Sequence, residues 1–173
     1  MKLTLKPFSN EIKLSATFSI NQGKTGLECT WEITGDIPSL SVPNYESKGR
    51  RLYLWLDTCF ELFLKFEGKE DYYEFNFAPD GCFNVFHLDY YRAPIIESTD
   101  FSVSGLAMEL SDNLLQFHAL ITPAIELLAI KANFLSSMVI KNKKGDISFW
   151  ASDHSELKPD FHDSSTYKNQ LIF

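Results

Sequence analysis

The chain has 173 residues, which is enough for one domain and leaves little room for two. A composition of 45% hydrophobic and 23% charged residues is typical of a globular protein and argues against intrinsic disorder. The formal net charge of −7 argues against nucleic acid as a partner, because phosphate contacts need clustered lysine and arginine.

The first ten residues alternate charged and apolar side chains and lack the apolar region of a secretory signal. No stretch of the chain approaches the roughly 18 consecutive apolar residues of a membrane span. We therefore expect one domain, residues 1–173, that is cytoplasmic and contacts no membrane. Its three cysteines, Cys29, Cys59 and Cys82, should be reduced thiols in that compartment.

Alternation of apolar and polar side chains with a period of two is the dominant pattern, and it predicts β-strands. It begins in residues 11–20 and 27–34, which a turn at 21–24 joins into a hairpin with one buried face. Turn residues separate most of the later strands. Those strands are predicted over residues 52–55, 59–66, 72–78, 82–90, 101–110, 114–122, 130–140, 146–150 and 168–173.

Two segments depart from the strand pattern. Residues 35–51 are rich in proline, glycine and serine, so we expect a long irregular loop, a feature that is often functional. Residues 123–128 predict one short helix, with Thr122 as its N-cap and Pro123 at its first position. Regularly spaced strands with one short helix predict an all-β fold, either a sandwich or a barrel. We favour an antiparallel two-sheet β-sandwich of jelly-roll type.

Three polar side chains share a face of two neighbouring predicted strands. Glu61 lies on strand 59–66, and Glu74 and Asn76 lie on strand 72–78. Opposed residues on such strands have Cβ atoms about 4.5–5.5 Å apart, so these groups should converge. Carboxylates and an amide beside an aromatic ring suit a polyol ligand, but the same alternation is also typical of a solvated sheet face.

Several other residues have alternative interpretations. Trp31 alternates with core positions and is assigned to the core, whereas Trp55 and Trp150 fit either a core or a binding role. Arg92 either binds a ligand or forms a salt bridge with Glu61 or Glu74. Cys59 is expected to be core or to line a pocket, since a strand supplies no activating base.

Cofactors are not expected. The four histidines have no recognised zinc spacing and are interpreted as surface residues. No convincing Met–His pair is available for haem ligation. A structural calcium ion bound by loop carboxylates is the one metal that the sequence leaves open.

Five segments occur in an informative order along the second part of the chain. They are Trp55 with 60–64, residues 73–81, residues 130–134, residues 148–150, and residues 159–162 followed by 171–173. Together they resemble the family-nine carbohydrate-binding modules and the related DOMON-like proteins, over roughly residues 55–173. The resemblance implies a β-sandwich in which two aromatic rings clamp a terminal sugar and polar residues contact its hydroxyls.

By position, the resemblance implies that Trp55 is one ring of the clamp and that Glu61 accepts a hydroxyl. The second ring is Phe161 or Trp150. The family commonly has a basic residue at the position of Glu74 and a tryptophan at that of Phe161, so the match is partial. The predicted ligand-binding residues are Trp55, Glu61, Glu74, Asn76, Arg92, Trp150 and Phe161.

These observations predict non-catalytic binding of a small polar ligand, a carbohydrate, in a pocket lined by aromatic rings and carboxylates. One alternative is a glycoside hydrolase that uses Glu61 and Glu74 as its carboxylate pair. Another is a protein-interaction domain that binds through exposed sheet edges or through the loop at 35–51.

Overall fold

The computed structural model describes residues 1–9, 13–23, 25–44, 49–124, 130–155 and 157–173. Across these ranges the expected all-β fold is confirmed, with thirteen strands and three short 3₁₀ turns. Within the same ranges no helix has the length and apolarity needed to cross a bilayer. The strands are β1 (Lys2–Pro7), β2 (Leu14–Gln22), β3 (Leu27–Gly35), β4 (Gly49–Arg50), β5 (Cys59–Phe66), β6 (Tyr72–Phe77), β7 (Cys82–Leu88), β8 (Ile96–Glu97), β9 (Phe101–Leu110), β10 (Leu114–Pro123), β11 (Lys131–Lys141), β12 (Ile147–Ala151) and β13 (Asn169–Ile172).

The strands follow one continuous path of hydrogen-bonded neighbours, β4-β7-β6-β5-β11-β12-β1-β2-β3-β10-β9, with β13 beside β11 and β8 beside β7. The pairing is antiparallel except between β4 and β7. Two separate sheets are not confirmed, because β1 pairs with β2 through residues 2–5 and with β12 through Lys6 and Pro7. This strand therefore joins both halves into one curled, mixed sheet.

Most predicted strands are present, and two of them, 59–66 and 101–110, agree to the residue with β5 and β9. The predicted strand at 52–55 is wrong, since a 3₁₀ turn, Leu54–Leu56, lies there. For the helix predicted at 123–128, β10 extends through Pro123 and residues 125–129 lie outside the described residues. The predicted loop at 35–51 contains a second 3₁₀ turn, Ile37–Ser39, and residues 45–48 are likewise not described.

The main core lies between the two halves of the curled sheet. Trp31 on β3 is fully buried, as expected, and its ring centroid lies 5.8 Å from that of Phe60 on β5 and 5.5 Å from that of Phe77 on β6. Phe60 also stacks on Phe117 of β10 at 4.9 Å. These rings hold the inner face of β5 and β6 against β3 and β10.

The outer face of β5 and β6 is covered as well. All six residues from Cys59 to Leu64 are buried, so β5 loses the exposed alternation of a half-solvated strand. Buried Leu54 packs on Cys59 and its neighbours, and Tyr167 packs on Phe63, with ring centroids 6.2 Å apart. The alternative of a solvated polar face is therefore wrong for this pair of strands.

Replacing Trp31 by alanine should lower the free energy of unfolding by about 3–5 kcal/mol, because it removes a fully buried ring between the two halves. Urea unfolding followed by circular dichroism measures this change. The control is Leu157→Ala at a side chain that is 95% exposed, which should stay within about 0.5 kcal/mol of the wild type. Equal stability of both variants would contradict this account of the core.

Candidate functional site

A cavity of about 340 Å³ lies on the outer face of β5 and β6. Five of the seven predicted ligand-binding residues line it: Trp55, Glu61, Glu74, Arg92 and Phe161. The strand register explains why the two glutamates meet there. Glu61 is directly opposite Asn76, and Glu74 lies two residues before Asn76, so all three side chains leave the same face.

The two glutamates are buried, with exposed fractions of 2% for Glu61 and 5% for Glu74. Ser137 on β11 donates a hydrogen bond to Oε2 of Glu61 at 3.1 Å, and Asn76 Nδ2 donates to Oε1 of Glu74 at 2.7 Å. Burial raises the pKa of Glu61 to about 8, and the nearby charge of Glu74 adds to that rise. Burial also raises the pKa of Glu74 to about 7, against the opposing effects of Asn76 and Arg92.

Asn76 orients Glu74 and is not among the residues that line the cavity. It is fully buried, and its Oδ1 lies 3.6 Å from the Sγ of Cys59, which acts as a weak donor. Burial and the charge of Glu61 raise the pKa of the Cys59 thiol well above its ordinary value. Cys59 is thus a buried thiol behind the site, as expected, and its environment opposes formation of a thiolate.

Trp55 is placed at the cavity by the 3₁₀ turn Leu54–Leu56. Tyr53 precedes this turn with a left-handed φ of 61°, and buried Leu54 anchors it to the sheet. The ring of Trp55 is half-buried and lies edge-to-face against Phe86, with centroids 6.0 Å apart. One part of the indole therefore packs on β7 while another lines the cavity.

Phe161 lies in a loop that crosses over β5. The hydroxyl of Tyr167 donates to the carbonyl oxygen of Phe161 at 3.0 Å, and the centroid of the Phe161 ring lies 6.3 Å from that of Phe63 on β5. Phe149 on β12 is 6.1 Å from Phe161 in an edge-to-face contact and also lines the cavity. The site therefore has several aromatic walls around its two carboxyl groups.

Arg92 pairs with Asp160, so the predicted salt bridge from Arg92 to Glu61 or Glu74 is wrong. Its Nη2 donates to Oδ1 of Asp160 at 2.9 Å, and the Tyr91 hydroxyl donates to Oδ2 at 2.6 Å. Partial burial alone would raise the pKa of Asp160, but these two hydrogen bonds and the charge of Arg92 lower it below its usual range. Asp160 is thus an ionised anchor that joins the Arg92 loop to the Phe161 loop.

His162 also lines the cavity, although the sequence favoured a surface position for it. Its Nδ1 lies 2.8 Å from the hydroxyl of Tyr72, which in turn accepts the backbone N–H of Arg92 at 3.2 Å. Burial, reinforced by the charge of Arg92, lowers the pKa of His162 to about 4. The imidazole is therefore neutral near pH 7.

Trp150 lies elsewhere. It is buried in the main core, and its Nε1 donates to Oγ of Ser148 at 3.0 Å, so its ring has no face open to a ligand. The cavity contact comes from its neighbour Phe149, which points to the opposite face of β12.

The sequence interpretation missed further lining residues, namely Phe63, Ile95, Val139, Phe149, Pro159 and His162. The sequence pattern could have indicated two of them. Phe63 shares a strand face with Glu61, and Phe149 lies on the face of its strand opposite to Trp150. Ile95 belongs to a non-periodic loop and has no such signal.

Among the described residues, no group of three or more His, Cys, Asp or Glu side chains is arranged to hold a metal ion. The calcium site that the sequence left open stays a prediction without a location.

No protein-family model matches the chain, and no curated protein sequence matches it. Solved structures do. A candidate carbohydrate-binding protein from Bacteroides uniformis ATCC 8492 superposes with a TM-score of 0.65 at 13% identity, covering 99% of this chain and 86% of that one. The fold resembles that of family-nine carbohydrate-binding modules.

Two structures of such a module from Caldicellulosiruptor kristjanssonii carry this likeness. The complex with cellotriose has a TM-score of 0.54 at 10% identity and covers 89% of this chain and 73% of that one. The complex with glucose has a TM-score of 0.53 at 10% identity and covers 95% and 78%. At these identities the likeness shows the fold, and it agrees with the resemblance that the five sequence segments indicated.

Replacing Glu61 by glutamine should change how stability depends on pH. The native carboxyl holds its proton up to about pH 8, whereas the unfolded one releases it near the ordinary value of 4.5. The wild type should therefore lose stability relative to Glu61→Gln as pH rises from about 5 to 8, by up to about 1.4 kcal/mol per pH unit. Urea unfolding at several pH values measures the difference.

The matched control is Glu70→Gln, since the Glu70 side chain is 94% exposed. Its stability should run parallel to that of the wild type over the same pH range. A constant difference between Glu61→Gln and the wild type would mean that Glu61 is not held protonated by burial.

Proposed function

We propose that this protein binds a carbohydrate in the cavity between Trp55, Phe161 and the Glu61–Glu74 pair, without catalysing a reaction on it. One observation carries the proposal: two buried carboxyl groups form a polar floor within a cavity whose walls include aromatic rings. A sugar presents the complementary surface, because its hydroxyls are polar and its C–H faces are apolar.

Each group in the cavity has a role in this proposal. The rings of Trp55 and Phe161 pack against C–H faces of the sugar. Glu61, protonated near pH 7, both donates to and accepts from hydroxyls, and Glu74 accepts from them. The volume of about 340 Å³ is at the small end of the range for ligand sites, which suits a monosaccharide or the terminal unit of a glycan.

The structural neighbours support the same class of ligand. The family-nine module whose fold this chain resembles was solved with cellotriose and with glucose. At 10% identity we carry over the class of ligand and leave the particular sugar to the binding measurements below.

A hydrolase is the alternative, and the pair of buried carboxyls whose pKa values are both raised is the observation that favours it. A glycosidase needs its two carboxyls to flank the scissile bond. Glu61 and Glu74 instead leave the same face of one sheet, at diagonal positions of the β5–β6 ladder. Adjacent strands can also bring two carboxyls as close as a retaining glycosidase needs, so the preference for binding rests on the carbohydrate-binding structural neighbours and on the turnover assay below.

Replacing Trp55 by alanine should weaken binding of the preferred sugar by about tenfold or more, because it removes an aromatic wall of the cavity. Isothermal titration calorimetry against neutral, acidic and amino mono- and disaccharides measures this. The control is Tyr90→Ala, since Tyr90 is an exposed aromatic residue outside the cavity. This variant should bind the sugar with the affinity of the wild type. No heat with any sugar at millimolar concentration would count against the proposal.

The wild-type protein should release no product from chromogenic glycosides. Absorbance assays with α- and β-linked nitrophenyl sugars test this over a range of pH. Turnover that disappears in Glu61→Gln, with the fold intact by circular dichroism, would overturn the non-catalytic part of the proposal in favour of the hydrolase.

A further inference from the structure

The cavity contains two acidic groups, and among the described residues neither forms an ion pair with a basic side chain. Arg92 is the arginine at its wall, and its ion pair is with Asp160. Over the described ranges, no lysine, arginine or histidine nitrogen lies within 4 Å of a carboxylate oxygen of Glu61 or Glu74. The Arg92–Asp160 pair is neutral as a unit, so the floor keeps a surplus of negative charge whenever either glutamate ionises.

The hydrogen bonds to the pair are also incomplete. Ser137 supplies one donor to Oε2 of Glu61, and Asn76 supplies one to Oε1 of Glu74. From the described part of the chain, no donor reaches the other oxygen of either carboxyl. Both residues line the cavity, so water or a ligand in it can supply donors to these oxygens.

The aromatic walls favour the same kind of ligand. Trp55, Phe149 and Phe161 surround the floor, and the negative faces of such rings attract a cation. A protonated amine has three donors and a positive charge. It therefore complements the two carboxyls and the rings together, which a neutral hydroxyl does only in part.

We propose that the preferred ligand carries a protonated amine and is an amino sugar, with its ammonium group between Glu61 and Glu74. This inference rests on the proposed function and specifies the chemistry of the ligand. An unmodified amine is required, because an N-acetyl group removes both the charge and two of the three donors.

Binding of an ammonium group is coupled to release of protons from the floor. Among the described residues, the groups that interact electrostatically with the pair are Cys59, Tyr72, Arg92 and Tyr167. His162 lines the same cavity, and Asp160 is paired with Arg92. Between pH 5.5 and 7 the cysteine and tyrosines stay protonated, His162 stays neutral, and Arg92 and Asp160 stay ionised. Among the groups near the pair, Glu61 and Glu74 are therefore the ones that can release a proton over that range, and affinity for the amine should rise with pH by up to about tenfold per unit.

Calorimetry at pH 6 with matched sugars tests the inference on the intact protein. The probes are glucosamine with glucose, galactosamine with galactose, and the two N-acetyl forms. We expect one hexosamine to bind at least about tenfold more tightly than its parent hexose and its N-acetyl form. Titrations in two buffers with different ionisation enthalpies should show proton release when the hexosamine binds and none when the parent hexose or the N-acetyl form binds.

Two variants test whether Glu61 and Glu74 cause the preference for the amine. Glu61→Gln or Glu74→Gln should reduce the preference for the amine to near unity, and Glu70→Gln on the exposed surface should retain it. Proton release by the wild type does not depend on either variant folding.

The outcomes separate the inference from the function on which it rests. Equal or tighter binding of the neutral sugar, without proton release, overturns the amine preference and leaves carbohydrate binding intact. Absence of heat with every sugar overturns both.

Discussion

Contacts of Trp31 with Phe60 and Phe77 hold the inner face of β5 and β6 against the opposite half of the curled sheet, and the cavity depends on this packing. Because that face is committed to the core, the outer face is the one from which Glu61 and Glu74 project. The loops then cover this outer face instead of leaving it to solvent. The site is thus built on strands whose backbone is fixed from behind, which is how a shallow polar floor keeps its shape.

Covering the outer face has an electrostatic consequence. Carboxyl groups that would be ionised and solvated on an open sheet are desolvated here. Each accepts one hydrogen bond, Glu61 from Ser137 on the adjacent strand and Glu74 from Asn76 on its own strand. Arg92, the arginine that lines the cavity, is paired with Asp160. The energetic cost of the buried pair is therefore offset only partly within the described protein, and a ligand with suitable donors gains most from meeting it.

The sequence predicts the strand-borne part of the site well, because alternation and short turns fix which side chains of β5 and β6 share a face. Glu61, Glu74 and Asn76 follow from that rule. The turn that holds Trp55 was missed because Leu52, Leu54 and Leu56 alternate as in a strand, and nothing in the pattern indicates the left-handed Tyr53. The ion pair of Arg92 with Asp160 joins non-periodic loops 68 residues apart, so periodicity carries no information about it. Trp150 and Phe149 show a further limit: alternation separates their faces without saying which face is the core.

Asp160 accepts three hydrogen bonds, from Arg92, from the Tyr91 hydroxyl and from the backbone N–H of His162. Arg92 itself adopts a left-handed φ of 53°, and its own N–H is held by Tyr72. Two surface loops distant in sequence are consequently fastened to each other before any ligand arrives. Loops that are already ordered avoid the entropic cost of ordering on binding, so a ligand of the proposed kind would meet a wall whose shape is set in the free protein.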